Sequence, residues 1–385
     1  MQRIITFFCR INLPGKISFL LLLIIFGLFY NSYSQPSPRK KILVLHSYHI
    51  TYLWTNNITK GVLSVFDEEK TNIDISVEFL DSKQSFDTTY QSIVFNMLSH
   101  KYNNQDIDLI ICSDDDALSF LIDYRNKLFG EIPVVFCGVN EFGPNRLKGQ
   151  KLFTGLIETV DIENTIKLAF DLTPKLEKIY VIADNTTTGT KLRLVTDSIR
   201  KAKFNNIEFE FLNELPLQGI IERTQNASQN ASILILPYTT EISGRLLEME
   251  KVVEIISENS PVPVYSLWDF VFNHGIVGGK ILSGYKQGVE SAIIAERIIN
   301  GESISDIPII MQSPSDFMID YSQAKRFHLN LNNLPPNTII ENKEPTFFEK
   351  NKNIIFIFNS LFSILLILFV FFFFRQKKKK NKLIS

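Results

Sequence analysis

Short apolar runs and amphipathic stretches alternate along most of the chain, and the first pair sets the pattern. Residues 42–45 form a continuous apolar run with lysines before it and polar residues after it. Such a run predicts a strand that is buried on both faces of a parallel sheet. From about Leu53 the apolar spacing becomes helical, with Trp54, Ile58 and Val62 on one side. This stretch therefore predicts a βα unit whose loop lies at the carboxyl end of the strand.

The same alternation continues to about residue 300. Further strands are predicted at 73–80, 108–112, 133–139, 154–158, 178–183, 207–212, 232–236 and 262–267. Helices are predicted at 87–102, 117–127, 161–171, 218–224, 245–258 and 288–299, and one more follows the loop 184–189 and ends at about 204. Alternating strands and helices favour βαβ units, parallel sheets and right-handed crossovers. The prediction is an α/β protein with two doubly wound parallel-sheet lobes joined by a hinge. Lobe 1 is expected at 35–159, lobe 2 at 160–280, a closing helix with the hinge or exit segment at 281–342, and a polar linker at 343–353.

The amino-terminal segment has the features of a secretory signal. A compact apolar run at 17–30 follows three basic residues, and small residues stand at Ser32 and Ser34. A basic start, a short apolar core and a small-residue exit are typical of a cleaved signal peptide. Residues 1–34 are therefore predicted to be a signal, with an uncleaved anchor as the alternative.

The carboxyl-terminal segment predicts a membrane span. Residues 354–374 are almost entirely apolar, which matches the roughly 20 residues that a helix needs to cross a bilayer. Arg375 and the lysines up to Lys382 follow directly, and such a basic cluster marks the cytoplasmic side. We expect a single transmembrane helix at 354–374, a basic cytoplasmic tail at 375–385, and the ligand-binding part in the periplasm or extracytoplasmic space. A buried core helix is disfavoured because the segment has no polar face.

If residues 35–354 are the exported part, that part carries a strong negative net charge. Residues 35–354 contain all 41 acidic residues but only 31 of the 40 basic ones, a net charge of −10. An acidic domain without a basic stripe argues against nucleic acid as a partner. The lysines of the tail are expected to stop translocation and to contact lipid headgroups.

The cysteine and histidine residues do not indicate a metal site. Cys112 and Cys137 lie near the ends of predicted strands, and both a disulfide and two buried free thiols remain open. His46 and His49 form an H-x-x-H pair without the glutamate of zinc proteases, so loop polar residues are the simpler interpretation. No nucleophile elbow, phosphate loop or dinucleotide fingerprint is present. The sequence thus favours a protein without catalytic activity, metal or cofactor.

Candidate ligand-binding residues follow from strand position, because ligands of open α/β sheets sit at the carboxyl ends of the strands. The candidates are Ser47, Tyr48, Trp54, Ser113, Asp114, Asn140, Asn185, Thr186, Thr188, Tyr238, Trp268 and Asp269. Several of them have a structural alternative. Trp54 also fits a helix core, and Asp114 or Asp115 fits a helix cap as well as a site for a ligand ammonium group. Asn185, Thr186 and Thr188 stand where a helix start would favour a carboxylate or phosphate, although ordinary turn chemistry also explains them.

Several segments resemble a known family. ILVLHSYHITYLWTNNITKG, VVFCGVN (134–140), TGLIE (154–158) and VGGKILSGYKQG (277–288) resemble ABC-type solute-binding proteins of the type I periplasmic class. DYSQAKRFHLNLNNLPPNTII (320–340) is similar to the end of the ligand-binding regions outside many bacterial sensor kinases. The resemblance covers residues 39–342 and defines a fold more sharply than a ligand.

The resemblance implies a protein that closes two lobes around a small molecule. The aromatic and hydroxyl residues among the candidates permit an amino acid or a similar compound. Two uses remain open: delivery of the ligand to an ABC permease, or transmission of closure through the membrane helix to a signalling partner. Sensor relatives continue into a kinase or cyclase after the membrane helix, and this chain stops there. An exported enzyme is a third, unsupported alternative.

Overall fold

The computed structural model describes residues 39–66, 72–103, 105–140, 142–143, 145–345 and 347–384, with only the helical backbone beyond 375. The predicted signal at 1–34 lies outside the described residues. The chain divides into two compact units. Unit 1 contains the described residues up to Glu158 together with Gly284–Ser313, and unit 2 contains Thr159–Ser283 and the described residues from Pro314. The predicted closing helix therefore belongs to unit 1, whereas the end of the predicted exit segment belongs to unit 2.

The elements alternate as the sequence predicts, and the α/β fold class is confirmed. In chain order they are β1 (Lys40–His46), α1 (Leu53–Val65), β2 (Ile73–Phe79), α2 (Thr88–Tyr102), β3 (Leu109–Ser113), α3 (Asp114–Leu128), β4 (Val134–Val139), β5 (Phe153–Ile157), α4 (Ile162–Leu172), β6 (Lys178–Ile182), α5 (Thr187–Lys203), β7 (Glu208–Phe211), α6 (Leu217–Thr224), β8 (Ala231–Ile235), α7 (Met249–Asn259), β9 (Val264–Tyr265), β10 (Gly278–Leu282), α8 (Gly284–Ile299), β11 (Ser315–Asp320), α9 (Tyr321–Arg326), β12 (Ile339–Glu341), α10 (Phe347–Lys350) and α11 (Lys352–Ile384).

Unit 1 has a five-stranded parallel sheet in the order β2-β1-β3-β4-β5. The apolar runs form its strands because both faces are covered. Leu43 and Leu45 belong to a core cluster with residues of α2 and α3, whereas Ile42 and Val44 alternate to the opposite face and are also buried. Helix α8 packs on β3, β4 and β5 and against α1.

The same alternation decides the state of the two cysteines. Cys112 lies directly beside Phe136 in the β3–β4 register, and both belong to the cluster with α2 and α3. Cys137 follows Phe136 by one residue and therefore projects to the other face, towards Ser291 of α8. Both thiols are free and buried. Of the two alternatives, the structure has the buried free thiols.

Unit 2 repeats the strand order of unit 1. Its sheet runs β12-β11-β10-β9-β8-β6-β7, so the five strands β6 to β10 have the same relative order as β1 to β5. These five are parallel, but β11 pairs antiparallel with β10. The sheet of unit 2 is therefore mixed at one side.

Three predicted boundaries in unit 2 and α8 differ from the structure. The run predicted as a strand at 262–267 forms only the two-residue strand β9, although its residues are buried. Helix α7 begins at Met249 and not at Arg245, and α8 begins at Gly284 and not at Gly288. Glycine, a weak helix former, disguised the early start of α8.

Helices α1 and α8 approach each other through glycine. A Cβ atom on Gly288 would lie 2.1 Å from the carbonyl oxygen of Ile58, and one on Gly61 would lie 2.1 Å from that of Tyr285. A Cβ on Gly284 would lie 2.9 Å from Cε3 of Trp54. Only residues without a side chain permit this backbone contact.

Helix α11 contains the predicted span. Its stretch Lys352–Arg375 is 24 residues long and, by length and composition, could cross a membrane. The side chains of its apolar residues are exposed, for example Phe358 and Ile367.

The glycine contact between α1 and α8 predicts an effect of side chain size. Gly288→Ala places its Cβ against the Ile58 carbonyl, so we expect the free energy of unfolding of unit 1 to fall by about 1–3 kcal/mol. Gly219→Ala in α6 is the matched control, since its nearest atom would be Cδ of Pro216 at 3.4 Å. Because alanine favours a helix, this control should gain roughly 0.5–1 kcal/mol. Urea unfolding in detergent measures both variants, and an unchanged or more stable Gly288→Ala protein would contradict the packing argument.

Candidate functional site

The carboxyl edge of the unit 1 sheet brings the ends of β1 and β3 side by side. His46 pairs with Ser113 at the last position of their parallel register. In the order β2-β1-β3-β4-β5 the chain turns in opposite directions from β1 and from β3, which makes this pair the topological switch point. The structure thus places Ser47 and Asp114, which follow these strands, at the position where α/β sheets bind ligands.

The Ser47 side chain joins the two strands and the following helix at the switch point. Its hydroxyl donates to the carbonyl of Ser113 at 2.7 Å and accepts from the backbone N–H of Ala117 at 2.8 Å. It therefore ties β1 to β3 and satisfies an N–H in the first turn of α3, a role that the sequence analysis gave to the aspartates. Ser47 and Ser113 are fully buried, so in this structure both hydroxyls serve the scaffold.

Asp114 is buried at the start of α3 and holds Trp54. The indole Nε1–H of Trp54 donates to Oδ1 at 2.9 Å, and the Ser113 hydroxyl lies 2.8 Å from Oδ2. The carboxylate is 1% exposed and the indole ring 3%. Burial raises the pKa of Asp114 to about 7, although the bonds from Ser113 and Trp54 oppose the shift. The backbone of Asp114 has φ +70°, a left-handed conformation that is strained for a residue with a side chain.

His46 completes the buried polar group. Its Nδ1 lies 2.8 Å from the Ser113 hydroxyl, and its Nε2 lies 3.0 Å from the hydroxyl of Thr59 in α1. The ring stacks on Phe79 with centroids 5.4 Å apart. Full burial lowers the pKa of His46 to about 3, so the imidazole is neutral at physiological pH.

The outer rim of this edge is aromatic and charged. Tyr48 and Tyr52 stand edge to face with ring centroids 5.5 Å apart. The Lys83 ammonium lies 3.6 Å from the centroid of Tyr52 and 4.9 Å from that of Tyr48. Burial, followed by the charge of Asp114, raises the pKa of Tyr48 well above its usual range. Two π faces and one cation are thus assembled in the loops after β1 and β2.

Asn140 lies at the end of β4 and is only partly buried. Its backbone N–H donates to Oδ2 of Asp115 at 3.1 Å, and its side-chain amide donates to Glu158 at 3.1 Å. Arg146 donates to Oδ1 of Asp115 at 3.1 Å. The Asp115 carboxylate therefore binds the loop after β4 to α3.

A buried glutamine fixes α8 at the same edge. Gln287 accepts from the N–H of Gly138 at 3.1 Å and donates to Ser313 at 3.1 Å. The Ser313 hydroxyl in turn donates to the carbonyl of Ile157 at 2.6 Å. One amide thus joins the ends of β4 and β5 to the helix.

The corresponding edge of unit 2 is closed by Asp184, which follows β6 and is 1% exposed. One oxygen accepts from the backbone N–H and hydroxyl of Thr186 at 3.1 and 2.5 Å. The other accepts from the backbone N–H groups of Thr239 and Thr240, after β8, at 2.7 and 3.3 Å. The sequence analysis predicted that a ligand carboxylate or phosphate would bind at the helix start near Thr186. In the structure the carboxylate of Asp184 accepts hydrogen bonds from Thr186.

The other candidates of unit 2 do not form one cluster. Asn185 is exposed; its side-chain amide donates to the backbone carbonyl of Asn213 and accepts from the Asn213 side chain. Thr188 is partly exposed in the first turn of α5. Tyr238 is buried and donates to the carbonyl of Leu215 at 2.8 Å. Trp268 is buried beside Phe270, and Asp269 accepts from Ser283 at 2.8 Å.

Sequence reasoning did not select His46, Thr59, Gln287 or Asp184 for this site. Asp184 carried a usable signal, because it is the first polar residue after a buried strand at a switch point. Thr59 and Gln287 carried none, since each lies within a helix whose neighbour is set by tertiary packing. The ligand roles of the twelve candidates stay predictions.

Among the residues that the structure describes, no three His, Cys, Asp or Glu side chains are grouped as metal ligands. His49 instead places Nδ1 2.9 Å from the Thr51 hydroxyl.

Comparison with known proteins gives consistent results. The family model for ABC transporter substrate-binding proteins matches residues 56–334, more than half of the chain. A tyrosine-binding protein of Clostridioides difficile (strain R20291) is 22% identical over 274 residues, which cover 69% of this chain and 75% of that protein.

Two solved structures share the fold. The ABC domain from Streptococcus pneumonia in complex with L-Trp has a TM-score of 0.55 and 17% identity and covers 78% of this chain and 100% of its own. The ligand-free, open structure of a substrate-binding protein with adhesive properties from Clostridium difficile has a TM-score of 0.54 and 19% identity and covers 79% and 100%. The family model thus confirms the resemblance to ABC-type solute-binding proteins, and the two structures confirm the fold.

The two buried titratable groups predict opposite pH effects on stability. His46 has an ordinary pKa of 6.5 when unfolded and about 3 when folded, so between these values the unfolded state binds more protons. Its contribution to the free energy of unfolding therefore rises with pH. Asp114 has an ordinary pKa of 3.8 and about 7 when folded, so the folded state binds more protons and stability falls as pH rises. Between about pH 4 and 6.5 the two slopes oppose each other.

Asp114→Asn removes one of these slopes. We expect the free energy of unfolding of this variant, relative to the natural protein, to increase from pH 4 to pH 7 by on the order of 4 kcal/mol. The reason is that the variant lacks a carboxyl group whose pKa is 3.8 when unfolded and about 7 when folded. Unfolding can be followed by Trp54 fluorescence in a Trp268→Phe background, because the chain has two tryptophans. Asp123→Asn, at an exposed carboxylate of α3, is the control. A pH-independent difference between Asp114→Asn and the natural protein would contradict the assignment.

Proposed function

Because this chain belongs to the ABC transporter substrate-binding protein family, we propose that it is exported, tethered to the membrane, and binds an aromatic amino acid or a closely similar solute. The observation that carries the ligand class is the rim of Tyr48, Tyr52 and Lys83 in unit 1. Two aromatic faces suit stacking with a ring, and a lysine suits a carboxylate. The tyrosine-binding relative and the L-Trp complex support the same class.

The proposed mechanism is binding without chemistry. The carboxyl edges of the two sheets present the candidate residues of each unit, among them Asn140 in unit 1 and Asn185, Thr188 and Asp269 in unit 2. A ligand that contacts both units favours the closed state over the open one by its difference in affinity for the two. The loops that contact the ligand are held in position by four buried residues, Ser47, Ser113, Asp114 and Trp54.

The tether is helix α11. Its apolar stretch is long enough to cross a bilayer, and Arg375 and the following lysines favour a cytoplasmic position for its end. Delivery of the ligand to a membrane permease is the use that we propose first, since it is the activity after which the family is named.

Signalling is the second candidate, and one observation favours it. The segment before α11 is held by unit 2: the Asn342 amide donates to Asp320 at 2.7 Å and Asn273 at 3.3 Å, and Lys325 pairs with Glu344 at 2.9 Å. A movement of unit 2 would therefore be transmitted directly to helix α11. Co-purification from native membranes separates the two uses, since a permease with its ATPase supports delivery and a kinase supports signalling.

The ligand class can be tested by titration of the detergent-solubilised full chain. We expect L-tyrosine or L-tryptophan to bind and to raise the melting temperature, and arabinose and myo-inositol to have no effect. Tyr48→Ala should weaken binding about tenfold, because an aromatic pair contributes roughly 0.5–1.5 kcal/mol beyond its buried area. Tyr48→Phe keeps the ring and should bind almost normally. Binding of a sugar alone, or equal loss in both variants, would refute the proposed class.

The topology has its own test. Protease added to intact spheroplasts should digest the part up to residue 352 and spare a tag fused after Ser385, because the basic tail faces the cytoplasm. A protected ligand-binding part, or a digested tag, would show that the orientation is wrong. Cell lysis before protease addition is the control, and it should expose the tag.

A further inference from the structure

Four buried hydrogen bonds join side chains of β1, α1 and the β3–α3 turn into one chain. Thr59 contacts His46 Nε2 at 3.0 Å, and His46 Nδ1 contacts Ser113 at 2.8 Å. Ser113 contacts Asp114 at 2.8 Å, and Trp54 donates to the other oxygen of Asp114 at 2.9 Å. All five side chains are buried, between 0% and 8% exposed. These side chains therefore bond to one another and not to solvent. Each of the four hydrogen bonds contains one proton, which one of its two partners must supply.

With Asp114 ionised, the protons have one consistent arrangement. Ser113 must donate to the carboxylate, because a carboxylate only accepts. The Ser113 oxygen then accepts from His46, which requires the proton on Nδ1. Nε2 is left as an acceptor, so Thr59 donates to it.

With Asp114 protonated, the three bonds that connect Asp114, Ser113, His46 and Thr59 reverse. The carboxyl group donates to Ser113, and Ser113 donates to His46 Nδ1, which must now be unprotonated. His46 then carries its proton on Nε2 and donates to Thr59. The Thr59 hydroxyl is directed to the carbonyl of Thr55, which lies 2.8 Å away and supplies the acceptor that this arrangement needs.

The two arrangements differ by one proton. Ser113, the imidazole and Thr59 hold one proton each in both, and the additional proton on Asp114 comes from water. The Trp54 bond to Oδ1 is the same in both. His46 remains neutral throughout but changes its tautomer, so its ring reports the state of a carboxyl group that it does not touch.

Other features indicate that this group is more than packing. Asp114 keeps a left-handed backbone, with φ +70°, and such strain persists where the surroundings enforce it, often at functional sites. A Cβ on Gly138 would lie 3.0 Å from Oδ1, so β4 also closes around the carboxyl group.

The charged and titratable groups around Asp114 come from every neighbouring element. They are His46 of β1, Tyr48 and Lys83 of the two rim loops, Cys112 of β3, Cys137 of β4, Asp115 and Asp116 of α3, and Arg146 of the loop after β4. Lys83 favours the carboxylate and Asp115 opposes it, whereas burial is the largest influence and favours the proton.

We propose that Asp114, Ser113, His46 and Thr59 form a proton-coupled switch in unit 1, in which uptake of one proton by Asp114 reverses the hydrogen-bond chain and moves the His46 proton from Nδ1 to Nε2. The switch changes the charge beneath the strand edge by one unit while the backbone stays fixed. The raised pKa of Asp114 brings this change close to neutral pH. The switch does not depend on the identity of the ligand.

The test is nitrogen NMR of the full-length protein, labelled with ¹⁵N-histidine in detergent, from about pH 5 to pH 9. The protein has five histidines, and the signal absent from His46→Gln identifies the ring. We expect one protonated and one unprotonated nitrogen at every pH, with the protonated position changing from Nδ1 to Nε2 as the pH falls through about 7.

Two variants make the test decisive. Asp114→Asn should hold one tautomer at all pH values, and Ser113→Ala should uncouple the ring from Asp114 even if the carboxyl group still titrates. Exposed Ser92→Ala in α2 is the control and should behave like the natural protein. A single His46 tautomer over the whole range, a doubly protonated ring, or a change that persists in Asp114→Asn would overturn the switch.

Discussion

The close contact of α1 with α8 is the constraint on which unit 1 depends. Gly61, Gly284 and Gly288 let the two backbones touch, and the helices carry side chains that organise the strand edge. Trp54 and Thr59 reach Asp114 and His46 from α1, and Gln287 reaches the ends of β4 and β5 from α8. Since α8 follows the whole β6–β10 series in sequence, unit 1 is completed only after that segment has been made. The chain passes between the units at Glu158, Ser283 and Ser313, which requires three connections and not one.

The two units close equivalent switch points with different chemistry. In unit 1 the hydroxyl of Ser47 bridges β1 to the start of α3, and in unit 2 the carboxylate of Asp184 bridges β6 to the residues after β8. A hydroxyl makes one donated and one accepted bond, whereas the carboxylate accepts several donors at once. Both sets of hydrogen bonds are made within the chain, so the loops after the strands are held without a ligand.

Burial divides the candidate residues into two groups with different physics. Ser47, Ser113, Asp114 and Trp54 have their polar atoms satisfied inside the protein, and removing one partner leaves another unpaired at a cost of about 1–3 kcal/mol. Tyr48, Asn140, Asn185 and Thr188 retain exposed surface and can contact a solute directly. Burial shifts the pKa values of Asp114, which belongs to the first group, and of His46, which Ser113 joins to it, and it also raises the pKa of Tyr48.

The sequence by itself determined the elements, the fold class and the polar edge. Continuous apolar runs such as 42–45 fit only strands covered on both faces, and polar residues after them had to fall at the carboxyl edge of a parallel sheet. The early start of α8, the short β9 and the antiparallel β11 were not predicted, because glycine and buried irregular backbone give no periodic signal.

Only the tertiary structure decided which polar residues meet. Thr59 and His46 are 13 residues apart and Trp54 and Asp114 are 60 apart, and no local pattern encodes either contact. The opposite faces of Cys112 and Cys137 likewise depend on the β3–β4 register, since a shift of one residue would turn each side chain to the other face. Local periodicity determines which element a residue joins, whereas partners and burial, and with them every pKa shift at the site, arise when distant elements pack together.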